Sequence, residues 1–255
     1  MNSSPSSKLL ALVAVLVIAA GAAGAVSVSQ ESAPDSARVG ETVSATITLT
    51  ELYQDPNYQQ WTLQGQTDLN NVTWTVQTIN QAGEVVETKT YDGSPIQHGV
   101  NIQSGASKIR VKITGEVPEI SNYSYDPEHE FLFAGLVQLR SGGTADQIET
   151  FRTHHYTNDS RQARSEIEQA ERAINTSGGN QQARDTLSNA VSAYEAENFD
   201  NAIDLANEAE RIAKSAQQSQ QRTQLILMGL GAVVVIGLLV GLVYWYRANQ
   251  TASKL

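Results

Sequence analysis

The sequence predicts a mainly β domain of antiparallel sandwich type, followed by a small α-helical bundle and one C-terminal transmembrane helix. Three observations carry this prediction. Apolar and polar residues alternate in several segments between residues 43 and 139, apolar spacing becomes helical after Asn158, and residues 225–246 carry no charge. Alternation with a period of two marks half-buried strands, whereas a spacing of three to four residues marks amphipathic helices.

Residues 1–25 are typical of a secretory signal peptide. Lys8 supplies a positive charge, Leu9–Ala20 is a short apolar run, and the small residues Ala23–Ala25 suit cleavage before Val26. The alternative is an uncleaved signal anchor, which would give the chain two membrane spans. With a cleaved signal, we expect the part that follows Val26 to be exported.

Residues 26–157 are predicted to form the extracellular β domain. The candidate strands are 43–50, 61–65, 72–76, 84–91, 109–113 and 131–139. Turn-forming residues separate several of them, as at Asp92-Gly93. Six or seven strands in about 125 residues fit an antiparallel sandwich of immunoglobulin-like architecture. We interpret Trp61 and Trp74 as core residues of this domain.

The composition limits which partners and sites the protein can have. There is no cysteine, so neither a disulfide nor a thiolate zinc site can form. The 27 Asp and Glu residues outnumber the 17 Lys and Arg residues, and the net charge is −10. A negative surface repels phosphates, so we expect no nucleic-acid partner. An acidic, lysine-poor, cysteine-free chain resembles surface proteins of halophilic archaea; an ordinary acidic exported protein is the alternative.

No combination of residues in the sequence predicts catalysis. The loop of residues 121–130 is the richest in ionisable groups, with Asp126, Glu128 and Glu130 beside His129. Its carboxylates could hold Ca²⁺, but their spacing matches neither an EF-hand nor an HExxH zinc motif. We therefore expect a solvated acidic loop, no cofactor and no metal, and a protein that is not an enzyme. His154-His155 is a poor metal site because neighbouring side chains diverge in an extended segment.

Four N-x-S/T sequons in the exported part predict N-glycosylation. They begin at Asn71, Asn122, Asn158 and Asn175. The polar composition explains part of this number.

Residues 158–216 are predicted to form a stalk of three helices. Ser177-Gly178-Gly179 ends the first helix, Asn180 can cap the second, and apolar stripes rich in alanine allow close packing. The segment Ala193–Ile203, followed by Ala206, Ala209 and Ala213, resembles a tetratricopeptide helical hairpin. It covers about 35 residues without repeating, so the resemblance implies no solenoid groove.

The C-terminal region is predicted to anchor the chain. Residues 217–224 form a polar juxtamembrane spacer, residues 225–246 span about 33 Å as a helix, and residues 247–255 form a cytoplasmic tail. Gly237 and Gly241 share one face of the span, which would allow a weak homodimer or contact with another span. The alternative is that lipid surrounds these glycines.

The order of these elements resembles that of membrane-anchored exported surface proteins of archaea. The resemblance implies a single-pass protein of the cell membrane with its N-terminal domain outside. The sequence thus predicts a surface-anchored binding or structural module without catalysis, whose partner is the membrane and another membrane or surface protein. The alternative is an accessory subunit of a membrane transport or secretion complex.

Overall fold

The computed structural model describes residues 26–30, 32–53, 59–140, 143–219 and Leu239. Within this part, ten strands precede three helices. The strands are β1 (Ser27–Gln30), β2 (Ser36–Arg38), β3 (Thr42–Thr50), β4 (Gln60–Gln66), β5 (Asn70–Ile79), β6 (Val85–Asp92), β7 (Ile96–Asn101), β8 (Lys108–Glu116), β9 (Glu130–Leu139) and β10 (Ala145–Tyr156). The helices are α1 (Asn158–Thr176), α2 (Gln181–Glu195) and α3 (residues 199–219).

Several predicted segments lie outside the described residues. These are the signal peptide, most of the spacer, the transmembrane helix except for Leu239, and the tail. Gly237 and Gly241 also lie outside the described residues. Residues 217–219, the first of the predicted spacer, continue α3 as a helix. None of the helices in the described part of the chain combines the length and apolar character that crossing a bilayer requires.

The strands form two five-stranded sheets that enclose one core. The first sheet has the order β1-β3-β8-β5-β6 and the second has the order β2-β10-β9-β4-β7. The prediction of a mainly β domain is confirmed. The second sheet, however, is mixed rather than purely antiparallel, because β2 pairs in parallel with β10 through Ser36–Arg38.

The inward-facing residues of both sheets build the core. Trp61 and Trp74 lie in it, 2 % and 0 % exposed, as predicted. Each indole N–H donates to a backbone carbonyl at 3.1 Å, that of Leu52 for Trp61 and that of Gly93 for Trp74. These bonds satisfy the one polar atom that each ring carries into an apolar interior.

The sandwich has two ends, which determine where its loops can act. Strands β3 and β8 pair with Thr42 opposite Glu116, and the chain leaves β10 at Tyr156 for α1 on the same side. The helices therefore adjoin the end that also carries the β8–β9 loop. The opposite end carries the loops that join β3 to β4, β5 to β6, β7 to β8, and β9 to β10.

The three predicted helices are present and form a bundle. A capping box begins α1: Thr157 Oγ1 accepts from the Ser160 N–H at 3.1 Å, and Ser160 Oγ accepts from the Thr157 N–H at 2.9 Å. Asn180 caps α2 as predicted, accepting from the Ala183 N–H at 3.1 Å. The helices meet through buried alanines, which allow close approach of their backbones. These are Ala163, Ala170, Ala183, Ala190, Ala202, Ala206, Ala209 and Ala213.

Candidate functional site at the joint between sandwich and helices

The β8–β9 loop brings the sandwich into contact with the helical bundle. Its Tyr123 and Tyr125 pack on the buried helical cluster. The Tyr123 ring centroid lies 4.9 Å from that of Phe199, and the Tyr125 ring centroid lies 5.8 Å from that of Tyr194, both edge to face. We call this contact, formed by residues 121–130 with Arg164, Tyr194 and Phe199, the joint. The prediction of a solvated loop is wrong for the two tyrosines, because the helices supply partners for their rings.

Arg164 of α1 is the central charged group of the joint. Its guanidinium carbon lies 4.4 Å above the Tyr125 ring and 5.8 Å from the Tyr194 ring. Nη1 lies 3.1 Å from Glu128 Oε1, and Nη2 donates to the Tyr125 carbonyl. The Arg164 side chain is only 14 % exposed. One cation thus stacks on rings from both the loop and the bundle, and its planar shape suits both contacts.

Three of the four histidines lie in the joint or next to it. His129 Nδ1 and His155 Nε2 share a hydrogen bond of 2.7 Å, and the two rings stack with centroids 5.0 Å apart. His154 Nδ1 lies 3.1 Å from the His129 carbonyl and 3.6 Å from Glu128 Oε2. The two neighbouring histidines diverge as expected for a strand, since His155 is buried in the sandwich while His154 faces the helices. Because one hydrogen joins His129 to His155, the pair is compatible with at most one extra proton.

Burial sets the protonation of His155. Loss of solvent lowers the pKa of its imidazole, and the neighbouring His129 lowers it further. His98 lies elsewhere, in β7, where burial also lowers its pKa and its Nδ1 bonds the Tyr91 hydroxyl at 2.9 Å. Burial raises the pKa values of the Tyr123 and Tyr125 phenols. In the joint, tyrosines that keep their phenolic proton therefore surround the ion pair of Arg164 with Glu128, and the adjacent His155 favours its neutral form.

Acidification is expected to destabilise the protein through His155. Its folded pKa lies below its unfolded value of about 6.5, so the stability that the neutral ring contributes is complete above that pH and is lost as the pH falls below it. Urea unfolding at pH values on both sides of about 6.5 measures the loss. His155→Gln should lose less stability on acidification than the natural chain, and His98→Gln measures the share of the other buried imidazole. Equal acid losses in the natural chain and His155→Gln would contradict the prediction.

A cavity of about 340 Å³ opens beside the joint. Asp35 and Glu128 contribute carboxylates to its wall, Arg161 and Arg164 contribute cations, and His154 lies between them. Arg161 is held over the Tyr156 ring at 4.8 Å. Opposite charges balance within the wall, and the cations already have aromatic or carboxylate partners, so the cavity favours no ligand of either charge.

A larger cleft, of about 620 Å³, lies at the other end of the sandwich. We call it the tip cleft. Its walls come from Glu51–Tyr53, residues 80–82, Ile102 and residues 105–107. Ile102 is 41 % exposed there, and Tyr53 lies against the core. The tip cleft thus combines amide and hydroxyl groups with an uncovered apolar side chain, on the surface farthest from the helices.

The sequon asparagines are all on the surface. Asn122 lies in the β8–β9 loop, and the Asn71 side chain donates to Glu116 at 3.2 Å. Asn158 and Asn175 lie in α1, and the hydroxyl residues of their sequons are buried where the helix begins and ends. These residues are Ser160 and Ser177, 1 % and 4 % exposed. Glycosylation at the four sites stays a prediction.

The carboxylates of the 126–130 segment do not converge. Glu128 faces Arg164 and His154, whereas Asp126 is exposed to solvent. Within the described residues, no group of three or more His, Asp or Glu side chains is arranged to hold a metal ion. Arg164 and the two loop tyrosines were not predicted to be joint residues. The available signal was a pair of aromatics, two residues apart, in an otherwise polar loop.

No protein-family model matches the chain, and no curated protein matches it. Among solved structures, a mutant of the SrpA adhesin from Streptococcus sanguinis is 16 % identical over 53 % of this chain and 61 % of its own, with a TM-score of 0.27. AggA, the major subunit of aggregative adherence fimbriae type I from Escherichia coli, is 14 % identical over 51 % of this chain and 94 % of its own, with a TM-score of 0.26. Likenesses at these TM-scores carry no conclusion about function.

Proposed function

We propose that the chain is an exported surface protein held in the cell membrane by one C-terminal helix, with its sandwich acting as a binding or structural module rather than an enzyme. The helical bundle lies between the sandwich and the membrane helix and supports the sandwich. The joint is the observation that carries this proposal. A flexible link between the sandwich and the bundle would not need an aromatic loop packed into the bundle. A module that presents its surface in a fixed orientation does need such a contact.

The direction of α3 supports the same arrangement. Tyr194 lies in the last turn of α2 and Phe199 begins α3, and both contact the β8–β9 loop. Helix α3 therefore starts at the joint, and residues 199–219 span about 30 Å at 1.5 Å per residue. Its last described residue leads toward the uncharged run of residues 225–246. In this arrangement the tip cleft faces away from the membrane.

The tip cleft is the surface that we assign to contact with a partner. It lies opposite the helices, and Ile102 leaves apolar surface uncovered there. An accessory role in a membrane complex would use a different surface, the face of Gly237 and Gly241. Two variants therefore distinguish the two roles. Ile102→Asp should abolish binding of a partner through the tip cleft only, and Gly237→Ile should abolish binding through the face of Gly237 and Gly241 only.

The anchored topology predicts how the chain behaves in cells. The mature chain should begin at Val26, stay with membranes through high-salt and alkaline washing, and lose residues 26–219 to protease added outside intact cells. A chain that ends at residue 224 should be released to the medium, because the run of 22 uncharged residues is then missing. Release of the full chain by washing, or an N-terminus within residues 1–20, would contradict the proposal.

A further inference from the structure

Strand β6 leaves one long edge of the first sheet open. It has β5 on one side, and no strand within the described residues lies on the other. The Gly93 N–H donates to the Val72 carbonyl at 3.0 Å, toward β5. Because backbone groups alternate in direction along an antiparallel strand, Thr88 and Thr90 point theirs to the open edge. Val85 and Val86 at the start of the strand are 46 % and 49 % exposed. Such an edge is able to pair with another strand.

The sequence of β6 is complementary to itself when two copies are aligned antiparallel with Thr88 opposite Thr88. Glu87 then comes opposite Lys89 of a second copy, Val86 opposite Thr90, and Thr88 opposite Thr88. Opposite charges and threonine pairs are favourable across antiparallel strands. Pairing of β6 with β5 is regular from Glu87 to Asp92, which covers the Thr88 and Glu87–Lys89 pairs, and the register shifts next to Val86.

We propose that β6 is a homophilic interaction surface, which pairs with β6 of a second copy of this chain about a two-fold axis through Thr88. The outward backbone groups of Thr88 bond each other reciprocally, and those of Thr90 face the Val86 end of the second copy. Val86, now half exposed, is covered in the pair. An isologous contact of this kind closes as a dimer and does not propagate.

The charges of β6 select this register over its neighbours. A shift that moves the axis to Glu87 sets two glutamates opposite each other, and a shift to Lys89 sets two lysines opposite each other. Like charges in direct opposition are destabilising. Within one chain Lys89 Nζ lies 2.8 Å from Glu87 Oε1, and the two side chains are 51 % and 42 % exposed. Both are therefore free to exchange this partner for the same partner on a second copy.

The pairing also fixes how two copies face each other. Strand β6 runs from the tip end, beside the β5–β6 turn, toward the end that carries the helices. Reversing one copy places the two helical bundles at opposite ends of the dimer. If the chain is anchored as proposed above, the dimer joins copies on facing membranes; this consequence, unlike the pairing itself, rests on the proposed function.

Charge exchange between two variants tests the pairing without disturbing the core. Glu87→Lys places lysines opposite lysines in its own dimer, and Lys89→Glu places glutamates opposite glutamates. A mixture of the two variants restores opposite charges at both symmetric positions. The full-length chain, purified in detergent and labelled with donor or acceptor dyes, is titrated as the natural chain, as each variant, as their mixture and as the double variant. Thermal unfolding followed by circular dichroism checks that every variant is folded.

We expect the dissociation constant of each single variant to rise at least about tenfold, and that of the mixture and of the double variant to return to within about threefold of the natural chain. Contact through Gly237 and Gly241 would act equally in every sample, so it cannot produce a gain specific to the mixture. The proposal is overturned if the mixture associates no more tightly than either variant alone. Loss of anchoring in the washing experiment would leave this measurement unchanged, which keeps the two failures distinct.

Discussion

Replacing Tyr194 by alanine is expected to lower the free energy of unfolding by about 3–5 kcal/mol, the range for truncating a buried aromatic side chain. The ring is 3 % exposed, and its centroid lies 5.5 Å from that of Phe199 and 5.8 Å from that of Tyr125. Truncation removes apolar contacts from the bundle and from the loop together. The measurement is urea unfolding of the full chain in detergent, followed by far-UV circular dichroism.

Tyr194→Phe is the matched control, because it keeps the ring and all its edge-to-face contacts. We expect this variant to lie within about 1 kcal/mol of the natural chain, since only the hydroxyl is lost. A loss for Tyr194→Ala as small as that for Tyr194→Phe would mean that the ring is dispensable, and the joint would then have no aromatic centre.

Arg164→Ala is expected to cost about 2–3 kcal/mol, because it removes a cation from two aromatic faces and takes the guanidinium partner from Glu128. The Glu128 side chain is 47 % exposed, so solvent screens the ion pair and the stacking on Tyr125 contributes a larger share. Arg164→Lys should recover less than half of the loss, since an ammonium group keeps the charge but lacks the planar shape for stacking.

Arg172 offers the matched control on the same helix. It pairs with Glu168 at 3.7 Å, but its side chain is 68 % exposed and has no role in the joint. Arg172→Ala should change stability by less than about 0.5 kcal/mol, as is usual for an exposed ion pair. Equal effects of Arg164→Ala and Arg172→Ala would show that position in the joint has no energetic consequence.

Strands whose buried residues are apolar could be predicted from the sequence, whereas strands whose buried residues are polar could not. β8 alternates Ile109, Val111 and Ile113, all 0 % exposed, and was predicted. β10 was missed, because its inward positions near the end are Thr153 and His155, 0 % and 3 % exposed. Irregular pairing with β9 also breaks its alternation twice. A polar residue can be buried there because it finds a partner: the Thr153 hydroxyl donates to the Pro34 carbonyl at 2.7 Å.

The joint could not be predicted from the sequence, for a different reason. The residues that contact Tyr125 are distant along the chain: Arg164 follows it by 39 residues, beyond strands β9 and β10, and Tyr194 lies farther on, in α2. A local pattern describes the loop as polar and the helices as amphipathic, which is correct for each. Neither pattern indicates that one loop tyrosine completes the surface between a helical arginine and a helical tyrosine. Such contacts depend on tertiary placement, which periodicity does not encode.

The sandwich and the helices form one unit through the joint, and comparison of two unfolding probes tests this claim. In a Trp245→Phe background, the fluorescence of Trp61 and Trp74 reports the sandwich, and far-UV circular dichroism reports the helices. We expect coincident urea midpoints for this background and separated midpoints once Tyr194→Ala is added. Separate midpoints with Tyr194 in place, or coincident midpoints without it, would contradict the claim.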